Sequence, residues 1–325
     1  MSGVFAASEV SGLNPAGTAV ETTGGGTFRA AYSRAAGASN SATNFYTAVL
    51  NDPLTDLWVR WTANSSWDSD ASGEIFRARS SAGVNVCRIS LTSNGSVAQL
   101  QFWNGSGWSN LGAAFNLSTG YGSGLHEFAL RIVTGATGTV ALFINGAPIA
   151  SGSMGAGTVN VKDFIIGTAD DTLPVNISEV AVLAGGASII GSAVETEAPT
   201  ADATDLGGTG TFADIDEAVL TDADFITFAA AGDRRSFTSP ARTGTLELVH
   251  GVGVAARARR DAGGPQNMRF YLKIGGVRYY SPTYALALGY SAYQYVWSQN
   301  PATSAAWTAA DASAATLEWG IEAVA

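Results

Sequence analysis

The sequence predicts an all-β protein of two antiparallel β-sandwich (jelly-roll) domains. Three observations predict it. Short apolar runs recur along the chain, Gly-, Asn- and Ser-rich turn clusters separate them, and helical signals are confined to one short stretch near the carboxy end. The 39 glycines are spread between the apolar runs and not gathered in one tract, so they read as turn residues. At roughly 150 residues per domain, the 325 residues give two domains, each able to bury a core.

From Asp56 to Trp108 the chain reads as a β-meander broken by SSAG, SNGS and NGSG. In DLWVRWTA the strand period of two places Leu57, Val59 and Trp61 on one face and Trp58, Arg60 and Thr62 on the other. A hairpin follows, with Phe128 to Val133 and Thr139 to Ile144 flanking TGATG and the second strand ending in the tight-turn pair Asn145-Gly146. Val159 to Gly167 and Val175 to Leu183 are two further apolar runs. These strands place the first sandwich at residues 1–186.

Residues 187–210 are poor in aromatics and rich in small and acidic residues, the composition of a linker. The second sandwich is placed at 211–325, with runs at Phe225 to Phe228, Leu246 to Arg260, Met268 to Ile274, Val277 to Tyr280, Tyr290 to Trp297 and Leu317 to Val324. Gly251 and Gly253 interrupt the longest run, where a bulge would let one strand serve two sheets. One short helix is expected after Thr308, which with Asp311 resembles a capping box before several alanines.

Charge narrows the function. The net charge is −10, and only Lys162 and Lys273 among the 17 basic residues are lysines, so nucleic acid is excluded as a partner. Arg257, Arg259 and Arg260, followed by Asp261, read as a solvated strand face. Cys87, the one cysteine, is expected to be a small buried side chain, and no internal disulfide can form. The amino-terminal MSGVFAASEV lacks the basic and long apolar segments of a signal peptide, and no run of ~18 apolar residues occurs; synthesis in the cytoplasm without a membrane span is expected.

Catalytic material is thin. His126 and His250 fall in different domains beside strands and read as hydrogen-bonding structural side chains, and no zinc spacing, nucleotide-binding glycine fingerprint or serine elbow occurs. A glycosidase would need two carboxylates in a cleft, for which Glu74, Glu127 and Glu179 are candidates without support from their spacing. Two aspartate pairs, Asp68 with Asp70 and Asp170 with Asp171, sit in turn-like segments and offer part of the six or more oxygens that calcium takes. A solvated turn is the competing reading.

Aromatic residues beside turns are the stronger lead. Trp67, Trp103, Trp108 and Tyr121 stand where a ring can stack on the apolar face of a sugar. Trp108, within NGSGWSN, is favoured, with Asn104, Ser106 and Asn110 close enough to bond sugar hydroxyls; a neutral or weakly charged saccharide is expected. Core packing competes for these tryptophans. In the second domain Tyr279, Tyr280, Tyr284, Tyr290, Tyr293 and Tyr295 crowd together; alternation puts Tyr293, Tyr295 and Trp297 on one face, so half of the set reads as core or subunit interface, and an exposed aromatic patch forming an oligomer interface through Tyr279, Tyr280, Tyr284, Tyr293 and Tyr295 is expected.

The segment VALFINGAPIASG, with Ile166-Gly167 and the stretch Ile177 to Val180, resembles the closing half of the concanavalin-like, laminin-G-type jelly roll over roughly 60 residues. That resemblance implies a lectin-like fold whose relatives bind sugars or proteins, sometimes through calcium, and it favours Asp170 and Asp171 as the metal site. The last third, with Tyr290 to Trp297, Asn300-Pro301, Trp307-Thr308 and a final Gly320-Ile321 strand, resembles a carboxy-terminal domain of tailed-bacteriophage structural proteins. It implies a virion location after synthesis in a bacterial host, with other virion proteins and copies of the same chain as partners.

The expectation is therefore a non-enzymatic structural component of a tailed-phage particle, a capsid decoration or a tail fibre, able to attach to host-surface polysaccharide. A free carbohydrate-binding lectin-like module is the alternative. A glycosidase is third.

Overall fold

Most of the apolar runs among the described residues become strands, but Phe225 to Phe228 does not and carries only the isolated bridge of Thr227 with Thr209. The computed structural model describes residues 2–7, 14–16, 20–23, 32–36, 44–65, 73–91, 97–117, 120, 124–155, 160–168, 175–194, 196–216, 222–240, 248–312 and 317–325. Before residue 48, and at 51, 64–65, 124, 167–168, 175–176 and 178, it describes backbone alone. The chain divides into two compact units, Gly3–Glu195 and Thr196–Ala325.

The first unit contains β1 (Ser2–Ala7), β2 (Asn14–Ala16), β3 (Val20–Thr23), β4 (Tyr32–Ala36), β5 (Asn44–Leu54), β6 (Asp56–Ser65), β7 (Gly73–Arg79) and β8 (Asn85–Leu91). It continues through β9 (Val97–Trp103), β10 (Trp108–Asn110), β11 (Phe115–Asn116), β12 (Gly124–Val133), β13 (Thr139–Ile144), β14 (Ala147–Ser153), β15 (Val161–Thr168) and β16 (Val175–Ala184). These form two antiparallel sheets of eight strands. The first runs β14-β13-β12-β6-β16-β4-β3 with β1 on β16, and the second runs β10-β9-β8-β7-β15-β5-β2 with β11 on β9.

Alternation along β6 fills the space between the sheets. Leu57, Val59 and Trp61 enter the main core, as the period of two requires. Trp61 lies stacked between Phe128, its cross-strand neighbour on β12, and Phe76 of the opposite sheet, with ring centres 5.3 and 5.1 Å away. The expected meander is present as β7 to β10, but β6 belongs to the other sheet.

The opposite face of β6 is also covered, which the sequence did not indicate. Trp58 joins Ala129, Ala181, Leu183 and Ile189 in a second small core, with Ile190 and Val194 against it. Residues 187–194 therefore pack onto the first sheet instead of forming a linker, because their few apolar side chains have an apolar strand face to bury against. Arg60 on the same face is fully buried: its Nε donates to Glu127 Oε2 at 2.9 Å and its Nη1 to the Glu179 carbonyl at 3.2 Å. The Gly191 N–H donates to both Glu127 oxygens, at 3.0 and 3.3 Å, tying the 187–194 segment to this buried ion pair.

The second unit holds β17 (Ala201–Leu206), β18 (Arg234–Thr238), β19 (Val252–Ala258), β20 (Asn267–Ile274), β21 (Val277–Tyr280), β22 (Tyr284–Ala285), β23 (Ser291–Trp297) and β24 (Leu317–Val324). A six-stranded sheet runs β17-β18-β24-β20-β21 with β22 on β20, and β19 pairs with β23 alone. Residues of both sheets, including Val254, Phe270, Leu272, Trp297 and Leu317, share one core. β17 lies inside the segment read as linker; its edge pairing with β18, and not apolar content, makes it a strand.

Two further expectations change. Gly251 and Gly253 form no bulge, since β19 keeps regular register with β23. They permit close approach instead: a Cβ on Gly251 would lie 2.8 Å from Val296 Cγ1. The capping-box hydrogen bonds of Thr308 and Asp311 form, and Ala312 N–H closes a single turn on the Thr308 carbonyl at 3.1 Å. The four residues after it lie outside the described residues.

Candidate functional site

Cross-strand register collects a polar face on the second sheet of the first unit. In β8 the core takes Cys87, Ile89 and Leu91, so Arg88 and Ser90 point the other way; in β9 Ala98 and Leu100 face the core, so Gln99, Gln101 and Trp103 join Arg88. A register shift between Glu74 and Phe76 makes Ile75 an extra residue in β7. Glu74 and Arg77 consequently share a face, although plain alternation would separate them. On the edge, Trp108 stands opposite Trp103 and Asn110 opposite Gln101.

The polar groups form one connected array. Glu74 forms ion pairs with both Arg77 and Arg88, and its side chain is only 7% exposed. Arg88 Nε donates to Gln101 Oε1 at 2.6 Å, which also accepts from Ser90 Oγ at 3.1 Å. Gln101 Nε2 then donates to Asn110 Oδ1 at 2.7 Å. The Arg88 guanidinium carbon lies 4.2 Å from the centre of the Trp108 ring, and Trp103 meets Trp108 edge-on at 5.3 Å. Both tryptophans are half-buried at the sheet margin.

The residues named from sequence divide three ways. Trp103, Trp108 and Asn110 lie on this face. Asn104 and Ser106 shape the β9–β10 turn: Asn104 Oδ1 accepts from the Ser106 N–H, Ser106 Oγ and Gly107 N–H at 2.9–3.0 Å, and its Nδ2 donates to Ser109 Oγ at 2.9 Å. Trp67, Tyr121, Asp68, Asp70, Asp170 and Asp171 lie outside the described residues. Sequence reading missed Arg77, Arg88 and Gln101, and weighed Glu74 only as a glycosidase carboxylate. Alternation in NVCRISL and VAQLQFW exposes Arg88 and Gln101, but only register brings them together.

Among the described residues no group of three or more His, Cys, Asp or Glu side chains is placed to hold a metal ion. His126 is buried with Nδ1 3.0 Å from Asn145 Nδ2, a structural position. Burial lowers the pKa of His250. Glu127 and Glu179 both pair with Arg60, so the three carboxylates weighed for a glycosidase are each held by arginine.

The tyrosines do not form the expected exposed patch. Tyr279, Tyr280, Tyr284, Tyr293 and Tyr295 are all part-buried, and Tyr284, Tyr293 and Tyr295 pack against the core of the second unit. Tyr284 Oη donates to the Gln294 carbonyl at 2.8 Å, and Tyr293 Oη accepts from Ala287 N–H at 2.9 Å. Tyr280 lies under the Arg269 guanidinium at 3.7 Å. The alternation of Tyr293 and Tyr295 along β23 was legible, and both rings pack with Val252, Val254 and Ala256 of β19 in that core.

The face of the six-stranded sheet away from that core is charged. Glu322 accepts from Arg234 Nε at 2.9 Å and Arg269 Nη2 at 3.0 Å. Tyr271, fully buried, donates to Asp205 Oδ2 at 2.9 Å, which Arg278 Nε also reaches at 2.9 Å. The Arg278 hydrogen bond holds Asp205 below the usual carboxylate range, while burial and then Asp205 itself push the Tyr271 phenol up. Each of these cations reaches a carboxylate, with Arg234 and Arg269 sharing Glu322 and Lys273 and Arg278 sharing Asp205, so the face is an ion-pair lattice.

Fold and site together define an all-β sandwich protein with a polar, tryptophan-edged strand face. No family profile matches the chain, and no curated protein matches it. Solved structures of partial likeness include the cellulose-induced protein Cip1, at 14% identity over 52% of this chain and 86% of that one, with a TM-score of 0.39. The endo-β-1,4-glucuronan lyase of the fungus Trichoderma reesei is 13% identical over 56% and 95%, with a TM-score of 0.40. The binding domain of botulinum neurotoxin DC, solved in complex with SialylT, is 12% identical over 89% and 73%, with a TM-score of 0.43. Likenesses of this size carry no argument about activity. Among the described residues no helix is long and apolar enough to cross a membrane.

Proposed function

We propose that the protein is a non-enzymatic, saccharide-binding structural component of a tailed-phage particle, contacting host-surface polysaccharide through the polar face of β7 to β10. The observation that supports binding is the Trp108 ring at the sheet margin, buttressed edge-on by Trp103 and flanked by the Gln101–Asn110 amide pair. A half-buried indole beside hydrogen-bonding amides suits the alternating apolar and hydroxyl surfaces of a sugar ring. The phage setting rests on the resemblance of the last third of the chain. Single sites of this kind are weak, and many copies on one particle would multiply a modest affinity.

The test is binding to a glycan array and to host-envelope polysaccharide, with native protein and Trp108→Ala side by side. Native binding, weakened about tenfold or more in a folded mutant, is expected. Equal signals would remove Trp108 from the site. Symmetry-resolved imaging of assembled particles tests the setting; a saccharide-binding protein absent from every particle would be a free lectin instead.

A further inference from the structure

The geometry points to an acidic saccharide, bound with its carboxylate against Arg77 and Arg88 while its ring lies at Trp108; this inference rests on the saccharide-binding reading above. The sequence alone led to a neutral or weakly charged saccharide. Folding changes the chemistry of the face.

Two guanidinium groups share the single carboxylate of Glu74, leaving one net positive charge in a chain whose overall charge is −10. Both arginines keep access to solvent, with side chains 28% and 21% exposed, whereas Glu74 is nearly closed off. Hydrogen bonding also leaves donors over. Arg77 commits Nε and Nη2 to Glu74, and Arg88 commits Nε to Gln101 and Nη1 to Glu74. Arg77 Nη1 and Arg88 Nη2 donate to no other described residue, and an incoming carboxylate would supply the acceptors.

In the second unit Arg234 and Arg269 share Glu322 in the same two-to-one way. What sets the pair on β7 and β8 apart is the tryptophan and amide surface beside it. The Arg88 guanidinium carbon lies 4.2 Å from the centre of the Trp108 ring, so one sugar residue against the indole would bring its carboxylate within reach of the arginines.

The experiment is calorimetric titration of the full chain with tetramers of galacturonate, mannuronate, glucuronate and sialic acid, each paired with its methyl ester. The ester keeps the sugar backbone and removes the charge. At least one acid should bind about tenfold or more tightly than its ester, and the difference should shrink as salt rises from 0.05 to ~0.5 M. Arg77→Gln and Arg88→Lys, checked for native near-ultraviolet dichroism, should each reduce the acid-over-ester ratio. Acids and esters bound equally well by native protein would overturn the acidic-ligand inference and leave the saccharide reading standing. Failure of every acid, ester and neutral array glycan to bind would remove both.

Discussion

Arg60 Nε donates to Glu127 Oε2 across 2.9 Å in a position where the arginine has no exposed surface. The same guanidinium reaches Glu179, a non-glycine residue at φ 52° where β16 shifts register against β6. One cation therefore holds three elements: β12, the irregular turn of β16 and, through Glu127, the 187–194 segment. Arg60→Ala leaves two carboxylates without their cation and is expected to destabilise the first unit by about 3–5 kcal/mol. Urea unfolding monitored by tryptophan fluorescence checks this, and a loss under about 1 kcal/mol would contradict it.

Gly320 is required by the tyrosine that lies over it. A Cβ there would sit 2.6 Å from the Tyr271 hydroxyl oxygen and would also strike the Arg235 carbonyl. Gly320→Ala is expected to cost about 1–3 kcal/mol through overpacking. Gly263→Ala is the control, since a Cβ at Gly263 meets nothing within 4 Å. Comparable losses in thermal unfolding of the two variants would show that the close approach of Tyr271 and the Arg235 carbonyl to Gly320 is unimportant.

Stability of the second unit should depend on pH at both ends. Asp205 is lowered chiefly by the Arg278 hydrogen bond, and Glu322 is lowered because hydrogen bonds from Arg234 and Arg269 outweigh the opposing effect of burial. Their contribution is fully present above the unfolded carboxylate values of about 4 and is lost as pH falls through the lower folded values. Tyr271 is raised, so its contribution is present below the unfolded value of about 10 and is lost as pH rises beyond it. Melting temperature measured from pH 2 to 11 should fall at both extremes. Asp205→Asn should flatten the acid limb, and Tyr271→Phe the alkaline one.

Cys87 lies in the main core with no exposed surface, and burial pushes its thiol pKa up to about 12. Only the thiolate reacts readily, so the folded chain should resist a thiol-specific reagent at pH 8 and react stoichiometrically in denaturant. Mass spectrometry after timed labelling gives the answer. Rapid labelling of the native chain would mean that the core opens at Cys87.

Much of the fold was legible because strand patterning is local. Leu57, Val59 and Trp61 alternate with Trp58, Arg60 and Thr62 in any register, and TGATG joins two strands whichever sheet they enter. The aromatic lead at Trp103 and Trp108 was legible too, since both flank a turn that Asn104 closes with neighbouring residues. What remained hidden depends on residues far apart in sequence. Arg88 and Glu74 meet across paired strands, and the extra residue at Ile75 reverses the parity that simple counting would give. Ile189 looks like linker until Trp58 offers it a surface. The sequence by itself thus determined the strands, their turns and which side chains alternate; the tertiary structure alone decided that a nominally neutral turn stands beside an unmatched arginine pair, because charge balance on a sheet face is set by cross-strand neighbours and not by neighbours along the chain.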